Sequence, residues 1–439
     1  MILQRIEKHK IQNNSPFYKF FINVCINANN LYNHGNYLIR QKFIETTKLK
    51  EQEKLKNAEW LRYAEVDKLL KKDKDYPDYY DLPIAACSQQ ILRLLDKNWV
   101  SFFKSIKDWK KNPNKYTGRP KLPKYREKQK PFLLIVPKPY FKTKGNSIKL
   151  TKAFNNFEIN NIQFNSKKEF KEINQLRFLP RKDYITVEII YSIEVEEKLN
   201  KNLNRILSID LGIDNLATIT TNFHNQPILI NGNSIKSENQ WFNKEKARLQ
   251  ERQKKCYNNY TSKRLERLSI KRENKIKDYF HKVSKFIIDY CKENKIGMII
   301  IGHNKNWKQN INIGKQTNQK FTSIPFNNLI QMIEYKATQN NIYVSQAEES
   351  YTSKASFIDN DKIPTLRDKS QKTFSGKRIF RGLYKTKNGS FINADVNGSY
   401  NIMRKVISDV EIPADRGLVN SPSKITLSNK QYKEYFKVA

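Results

Sequence analysis

Three acidic positions in this chain are spaced so that a single sheet could bring them together. Ile206-Leu-Ser-Ile-Asp210-Leu-Gly212 is an apolar run that ends in a carboxylate and then a glycine. Glu348-Glu349 follow an expected strand at 342 to 347, and Asp395 lies in Asn393-Ala-Asp395-Val-Asn-Gly-Ser-Tyr-Asn-Ile402, in the first turn of an expected helix. An acid at the carboxyl end of a strand stands at the sheet edge where ligands of α/β folds bind. Three such acids can hold two divalent ions about 4 Å apart, one activating water and one stabilising the leaving oxygen of a phosphodiester. Oxygen ligands of this kind suit Mg²⁺, with Mn²⁺ as a substitute. Any one of these acids alone is more commonly a solvated surface group.

The elements that must position these acids follow from periodicity. From Ile206 the pattern is strand, strand, strand, long helix, strand, helix, strand, helix: strands at 206–209, 216–219 and 227–230, a helical tract over 239–294 with a break near 257–261, a strand at 298–301, a helix at 325–338 and a strand at 342–347. Alternation of this kind builds a parallel or mixed sheet flanked by helices. Upstream, helical spacing is expected over 16–45 and again through Leu92, Leu95, Trp99, Phe103, Ile106 and Trp109. The Gly118 to Pro123 stretch reads as a turn-rich linker. Short β-type runs at 132–136 and 185–193 read as a small β unit.

The charge narrows the partner. The 439 residues carry 82 Lys plus Arg against 43 Asp plus Glu, a formal net charge of +39, with 38% apolar and 12% aromatic residues. A chain this apolar folds rather than staying disordered. AT-rich coding would raise Lys and Asn but would raise acids as well, so the basic surplus points to a polyanion, nucleic acid before a membrane surface. Residues 101–130 hold eleven Lys or Arg and two acids, interleaved with Phe102, Phe103, Trp109, Tyr116 and Tyr125, the arrangement that stacks on bases and pairs with phosphates. Residues 244–285 hold fifteen Lys or Arg and five acids. The charged opening Met1 to Lys10 lacks the apolar centre of a secretory signal. No segment reaches the roughly 20 apolar residues of a spanning helix. Cys25, Cys87, Cys256 and Cys291 form no Cys-x-x-Cys pair, so reduced thiols in a bacterial cytoplasm, near the nucleoid, are expected rather than a disulfide framework or zinc finger.

Several ordered motifs carry a family resemblance. Asp210-Leu-Gly-Ile-Asp-Asn-Leu-Ala, Asn304-Lys-Asn-Trp-Lys-Gln309, Tyr335-Lys-Ala337, Glu349-Ser-Tyr-Thr-Ser-Lys354 and Ala394 to Ile402 together resemble the transposon-encoded TnpB family of RNA-guided nucleases, related to miniature type V CRISPR effectors. The likeness is strong over the last 235 or so residues and looser before them. It implies a multi-domain α/β protein: an RNase H-like RuvC nuclease domain at 205–353 and 391–410, a helical lobe at 16–124, a β-barrel wedge from 1–15 and 125–200, an insert at 354–390 and a tail at 411–439. It also implies a guide RNA, a double-stranded DNA target with a short adjacent motif, and Mg²⁺-dependent hydrolysis leaving a 5′-phosphate and a 3′-hydroxyl. Asp210 and Asp395 match the first and third metal-binding acids. The expected nucleic-acid contacts are Lys110, Lys111, Tyr116, Arg119, Lys121, Lys124, Arg126, Lys305, Trp307, Lys308, Arg378 and Arg381.

Two departures from the family pattern matter. The strand that usually ends in the second acid reads Ile299-Ile-Ile-Gly302-His-Asn304, with no carboxylate. The next strand ends at Glu348-Glu349, so a relocated glutamate is expected to serve, and Glu349 is favoured over Glu348 because it adjoins the Tyr-Thr-Ser motif. Neighbouring residues near a strand end point to opposite sides, so one of the two is expected to face the site. The insert, where the family carries a four-cysteine zinc ribbon, has no cysteine and so no zinc. The alternatives are a nuclease-inactive RNA-guided DNA-binding protein, motivated by Gly302, and an actin-like ATPase, which shares the Asp-x-Gly opening but needs glycine-rich loops that a chain with 13 glycines does not display.

Overall fold

The computed structural model describes residues 2–73, 75, 77–162, 170–195, 203–223, 226–258, 260–304, 314–365, 368, 373–380, 382–407 and 419–427. The fold is mixed α/β and divides into two compact units, Met1–Glu196 and Glu197–Ala439.

The first unit comprises β1 (Ile2–Gln12), α1 (Pro16–Glu51), α2 (Tyr63–Lys72), α3 (Ala85–Lys111), β2 (Leu134–Pro137), β3 (Phe141–Lys144), β4 (Ser147–Leu150), β5 (Glu158–Ile159), β6 (Phe170–Pro180) and β7 (Tyr184–Glu194). An antiparallel sheet runs in the order β1-β7-β6-β2 and a smaller one in the order β3-β4-β5. Ser15 caps α1 by accepting from the Phe17 amide, Pro16 occupies its first turn, and Lys48 and Lys50 sit in its last, where the helix dipole favours cations. Helices and sheets share one core, in which Phe21 of α1 stacks on Phe178 of β6 with ring centroids 4.3 Å apart.

This core absorbs part of the basic-aromatic stretch. Phe102 and Phe103 lie one helical turn beyond Trp99 on α3, which puts all three on the same face. Phe103 packs 5.1 Å from Trp60 and 5.5 Å from Phe43, and Phe102 6.0 Å from the fully buried Trp99. Both are half-buried against the edge of this core, so only part of each ring is open for stacking.

The second unit comprises β8 (Ile206–Asp210), β9 (Asn215–Thr221), β10 (Ile228–Asn231), α4 (Asn233–Tyr257), α5 (Lys263–Glu293), β11 (Met298–Gly302), α6 (Lys315–Thr322), α7 (Phe326–Gln339), β12 (Tyr343–Ala347), β13 (Lys377–Phe380), β14 (Leu383–Lys385), β15 (Phe391–Asn393), α8 (Ala394–Val406) and β16 (Ser423–Ile425). The main sheet is mixed and six-stranded, in the order β12-β11-β8-β9-β10-β16, with β8, β11 and β12 parallel. Residues 423–425, read from sequence as part of a tail, form its last strand through parallel pairing with β10.

Both faces of the central strands are buried, so their side chains sort by parity. Leu207, Ile209, Ile299 and Ile301 face the apolar seam of α5 and α7, including Phe280, Val283, Ile287, Leu329 and Ile333. Ile206 and Ile300 face the opposite way, against Ile402 and Met403 of α8. Asp210 and Gly302 continue the second parity and therefore belong to the α8 side.

Candidate active site

Parallel pairing aligns the carboxyl ends of three strands, with Ile301 opposite Ile209 and Gly302 opposite Ala347. Asp210 ends β8 at that edge. Helix α8 crosses the same face and is fixed there by buried hydroxyls: Ser208 Oγ donates to the Ser399 carbonyl at 2.8 Å, and Ser399 Oγ lies 2.9 Å from Thr220 Oγ1. Locked in this register, α8 presents Gly398 to Asp210. A Cβ on Gly398 would stand 2.7 Å from Asp210 Oδ2, so a side chain there would displace the carboxylate.

Asp395 sits in the first turn of α8, where the exposed amides and helix dipole favour negative charge. The Asn393 side chain caps that turn by accepting from the Asp395 and Val396 amides. Asn215 Nδ2 donates to Asp395 Oδ2 at 2.8 Å, and Arg378 Nη2 to Oδ1 at 3.2 Å.

Glu349 follows β12 with the parity of Ala347. Its amide donates to Asn304 Oδ1 at 3.0 Å, and its carbonyl accepts from Thr352 Oγ1 at 2.8 Å. A Cβ built on Gly302 would lie 3.1 Å from Glu349 Oε2 and 2.4 Å from Ile402 Cδ1. The carboxylate of Glu349 thus occupies the space beside β11 that a side chain on residue 302 would enter. Glu348 is turned to α8 instead and pairs with Lys405 at 3.2 Å. His303 donates its amide to the Ala347 carbonyl, and its Nε2 lies 3.0 Å from Asn327 Oδ1.

The electrostatics express this crowding. Burial first, and then the charges of Glu349 and Asp395, push the Asp210 carboxyl well above its usual range, while Arg378 offsets part of the effect. Burial pushes Glu349 up to about 7, against a smaller opposing pull from Lys405. Beside the acids lies a cavity of about 650 Å³, lined by Asp210, Gly212, Asn215, Arg378, Asp395 and Lys424 among others. Among the described residues, no three carboxylate, histidine or cysteine side chains form a ready ion cage, and Asp395 is held by Asn215 and Arg378. The donor set nevertheless fits hard divalent cations: carboxylate oxygens whose mutual repulsion and burial a cation would relieve.

The insert is organised without thiols. Asp361 Oδ2 accepts from the Ser356 amide at 2.8 Å and Oδ1 from Ser375 Oγ at 2.7 Å, and Asp359 Oδ2 accepts from Ser356 Oγ at 2.6 Å and the Lys387 amide at 3.0 Å. Asn397 and Asn401 of α8 both donate to the Ala355 carbonyl. This framework carries the β13–β14 hairpin that delivers Arg378 to Asp395.

Of the expected nucleic-acid contacts, Arg378 is paired with Asp395 at 3.2 Å, and the other eleven fall into three groups. Lys110, Lys111, Arg119, Lys121 and Lys124 are exposed. Tyr116 and Arg126 are engaged internally: Tyr116 donates to Asp108 at 2.6 Å, while Arg126 lies 3.8 Å above the Phe132 ring and donates from Nε to Asn29 at 3.0 Å. Lys305, Trp307, Lys308 and Arg381 lie outside the described residues. Sequence reasoning missed the roles of Asn215, Gly398 and Lys424 around the acids. Asn215 and Gly398 lie inside quoted motifs, whereas nothing near Lys424 marks it.

Two regions match known families. Residues 188–308 match OrfB_IS605, described as a probable transposase, and residues 326–402 match the Cas12f1-like TNB domain. Together the two matches support a TnpB-like family. The two matched regions contain Asp210, Gly302, Glu349 and Asp395, so the TnpB-like likeness spans the acid cluster. Among solved structures, a Cas12f1–sgRNA–target DNA complex is 14% identical, covering 87% of this chain and 82% of that one, with a TM-score of 0.48. C2c1 of Alicyclobacillus acidoterrestris in complex with single-guide RNA is 8% identical over 89% and 69%, with a TM-score of 0.35. A comparison with curated proteins found no match.

Proposed function

We propose that this chain is an RNA-guided DNA endonuclease with a RuvC-type, RNase H-like site formed by Asp210, Glu349 and Asp395. The observation that carries this reading is the position of Glu349 Oε2, 3.1 Å from where a side chain on Gly302 would begin. β11 ends without the second acid of the family pattern, and in this reading the carboxylate that follows β12 takes over its role.

In this reading the three acids hold two Mg²⁺ ions, which when bound supply an activated water and charge stabilisation for the leaving oxygen. The chain's own residues prepare the site. Asn215 fixes one oxygen of Asp395, and Gly398 leaves room for the Asp210 carboxylate. Arg378 and Lys424 give the cavity positive charge suited to a backbone phosphate. Raised to about 7, Glu349 is partly protonated at neutral pH, and a bound cation would favour its ionised form. The exposed Lys110, Lys111, Arg119, Lys121 and Lys124 bind the guide RNA backbone, base pairing selects the target, and the first unit reads the adjacent motif.

The test is plasmid cleavage in Mg²⁺ by protein purified with its co-expressed RNA, comparing wild type, Glu349→Ala and Asp395→Ala. Both substitutions are expected to abolish cutting. No cutting by wild type with retained DNA binding would favour a nuclease-inactive RNA-guided DNA-binding protein. Cutting that survives Glu349→Ala but not Asp395→Ala would remove Glu349 alone from the site.

A further inference from the structure

Residues 119–126 of the first unit form no helix or strand, and among the described residues no backbone-to-backbone hydrogen bond holds them. One face of α1 holds them instead. Asn33 brackets Arg126, accepting from its amide at 2.8 Å and donating to its carbonyl at 3.0 Å. Asn29 donates to the Glu127 carbonyl at 2.8 Å, and Asn36 donates to the Pro123 carbonyl at 3.2 Å. Positions 29, 33, 36 and 40 share one helix face by their spacing of three and four. Asparagine is a poor helix former, and Asn29 and Asn36 are fully buried, so this stripe serves the strap it fixes rather than the helix that carries it.

Two arginines leave this arrangement with their guanidinium planes set. Arg40 donates to the Pro123 carbonyl from Nε at 3.2 Å and from Nη2, and lies 4.7 Å from the centroid of the Tyr125 ring. Arg126 is exposed, donates from Nε to Asn29 Oδ1 at 3.0 Å, and lies 3.8 Å from the centroid of Phe132. Among the described residues neither pairs with a carboxylate, and Nη1 of Arg40 and both Nη groups of Arg126 have no acceptor. The nearby acids are taken: Glu127 pairs with Lys130, and Asp108 with Lys115. Burial pulls the Arg126 guanidinium below its ordinary pKa, and no carboxylate opposes that pull.

A guanidinium held flat with open donors matches the paired oxygens of an anion. The surroundings select a chain of phosphates. Arg119, Lys121 and Lys124 on the same strap are exposed and equally without an ion-pair partner among the described residues, a density of cations suited to a polyanion. Asn36 shares the Pro123 carbonyl with Arg40 and stands about 10 Å along α1 from Asn29, which holds Arg126. With contacts of about 2.8 Å, one phosphate cannot bridge that span, whereas successive phosphates of a backbone can.

We infer that Arg40 and Arg126 are two fixed forks for phosphates of one nucleic-acid backbone, and that Asn33 is a positioning residue, holding the strap that sets them. The inference rests on the endonuclease reading above only for its class of partner, a nucleic acid. The phosphates belong either to the guide RNA or to the target DNA, and the test separates the two.

The test uses full-length protein and reads dissociation constants over a series of NaCl concentrations. The probes are the co-expressed RNA and then, with RNA loaded on an Asp395→Asn background, a guide-matched DNA duplex. Arg40→Gln and Arg126→Gln should each weaken binding to one of the two about tenfold and lower the slope of log affinity against log salt by about one, since each removes a phosphate contact. Arg126 is exposed, so its variant guards against misfolding of the half-buried Arg40 variant. Arg40→Lys should keep the slope and lose about threefold, because lysine retains the charge without the fork. Asn33→Ala removes no charge, so it should lose about threefold on the same nucleic acid at an unchanged slope, and should lose less when combined with Arg126→Gln than the two losses multiplied. A lowered slope on RNA assigns the phosphates to the guide and one on DNA assigns them to the target; either supports the inference. Unchanged slopes for both arginine variants on both nucleic acids would overturn it and leave these side chains as struts for Pro123 and Asn29. An Asn33→Ala protein that binds like wild type would overturn the positioning role. Plasmid cutting by wild type with unchanged slopes would count against this inference alone, whereas lowered slopes in a protein that never cuts would count against the endonuclease reading alone.

Discussion

Replacing Glu349 by Gln should stabilise the metal-free protein at alkaline pH. The folded carboxyl sits at about 7 against an ordinary value of 4.5, so the native state binds the proton more tightly than the unfolded chain. Stability from this group is therefore fully present below about pH 4.5 and is lost as pH rises through 7. Two and a half pH units at about 1.4 kcal/mol each set a ceiling of about 3.5 kcal/mol. Because Glu349 keeps partial contact with solvent, about 2 kcal/mol is the working figure. Relief of Asp210, whose carboxyl Glu349 also pushes upward, acts in the same direction. The assay is calorimetric unfolding in EDTA at pH 5 and pH 8. Glu349→Gln should match wild type at pH 5 and, for the unit Glu197–Ala439, melt about 4–8 °C higher at pH 8. Saturating Mg²⁺ should then raise the wild-type transition and leave the variant's nearly unmoved. A variant no more stable than wild type at pH 8 would refute the claim that burial strains this carboxylate.

Other expectations follow from single contacts. Gly398→Ala should reduce cleavage at least tenfold and weaken Mn²⁺ binding in an equilibrium titration, because its Cβ would meet Asp210 Oδ2 at 2.7 Å, with little change in melting temperature. Gly302→Ala should cost about 1–3 kcal/mol in urea unfolding, since the new methyl overpacks Ile402 in the core. Asp361→Ala should expose the insert to limited proteolysis between residues 354 and 393, whereas EDTA should not, because its bonds run to Ser356 and Ser375 rather than to an ion. Guide RNA affinity should fall steeply as salt rises, and a flat response would contradict a phosphate-binding role for the +39 surplus.

The main sheet was legible because β8 and β11 are buried on both faces and read as continuous apolar runs, and because Asp210 breaks the first of these where the sheet ends. The α8 motif was legible too, since Asn393 and Asp395 carry a helix-start signature. Composition did not sort the aromatics of 101–130 because it ignores phase: Phe102 and Phe103 fall at helical spacing from the buried Trp99 and pack half-buried against it, whereas Tyr125 is exposed. The Asp359 and Asp361 staple was hidden, since its bonds to Ser375 and Lys387 join residues up to 28 apart that no short motif links. The choice of Glu349 over Glu348 rested on its adjoining the Tyr-Thr-Ser motif, whereas the pairing of Glu348 with Lys405, 57 residues away, became visible only in three dimensions.

The packing around Gly302 also limits what that position can carry. A side chain on residue 302 and the Glu349 carboxylate compete for one volume, with Ile402 closing the remaining side. An acid at 302 could therefore stand beside Glu349 only with a smaller residue at 402 of α8. Relatives that trim residue 402 would be the ones able to carry both acids at once.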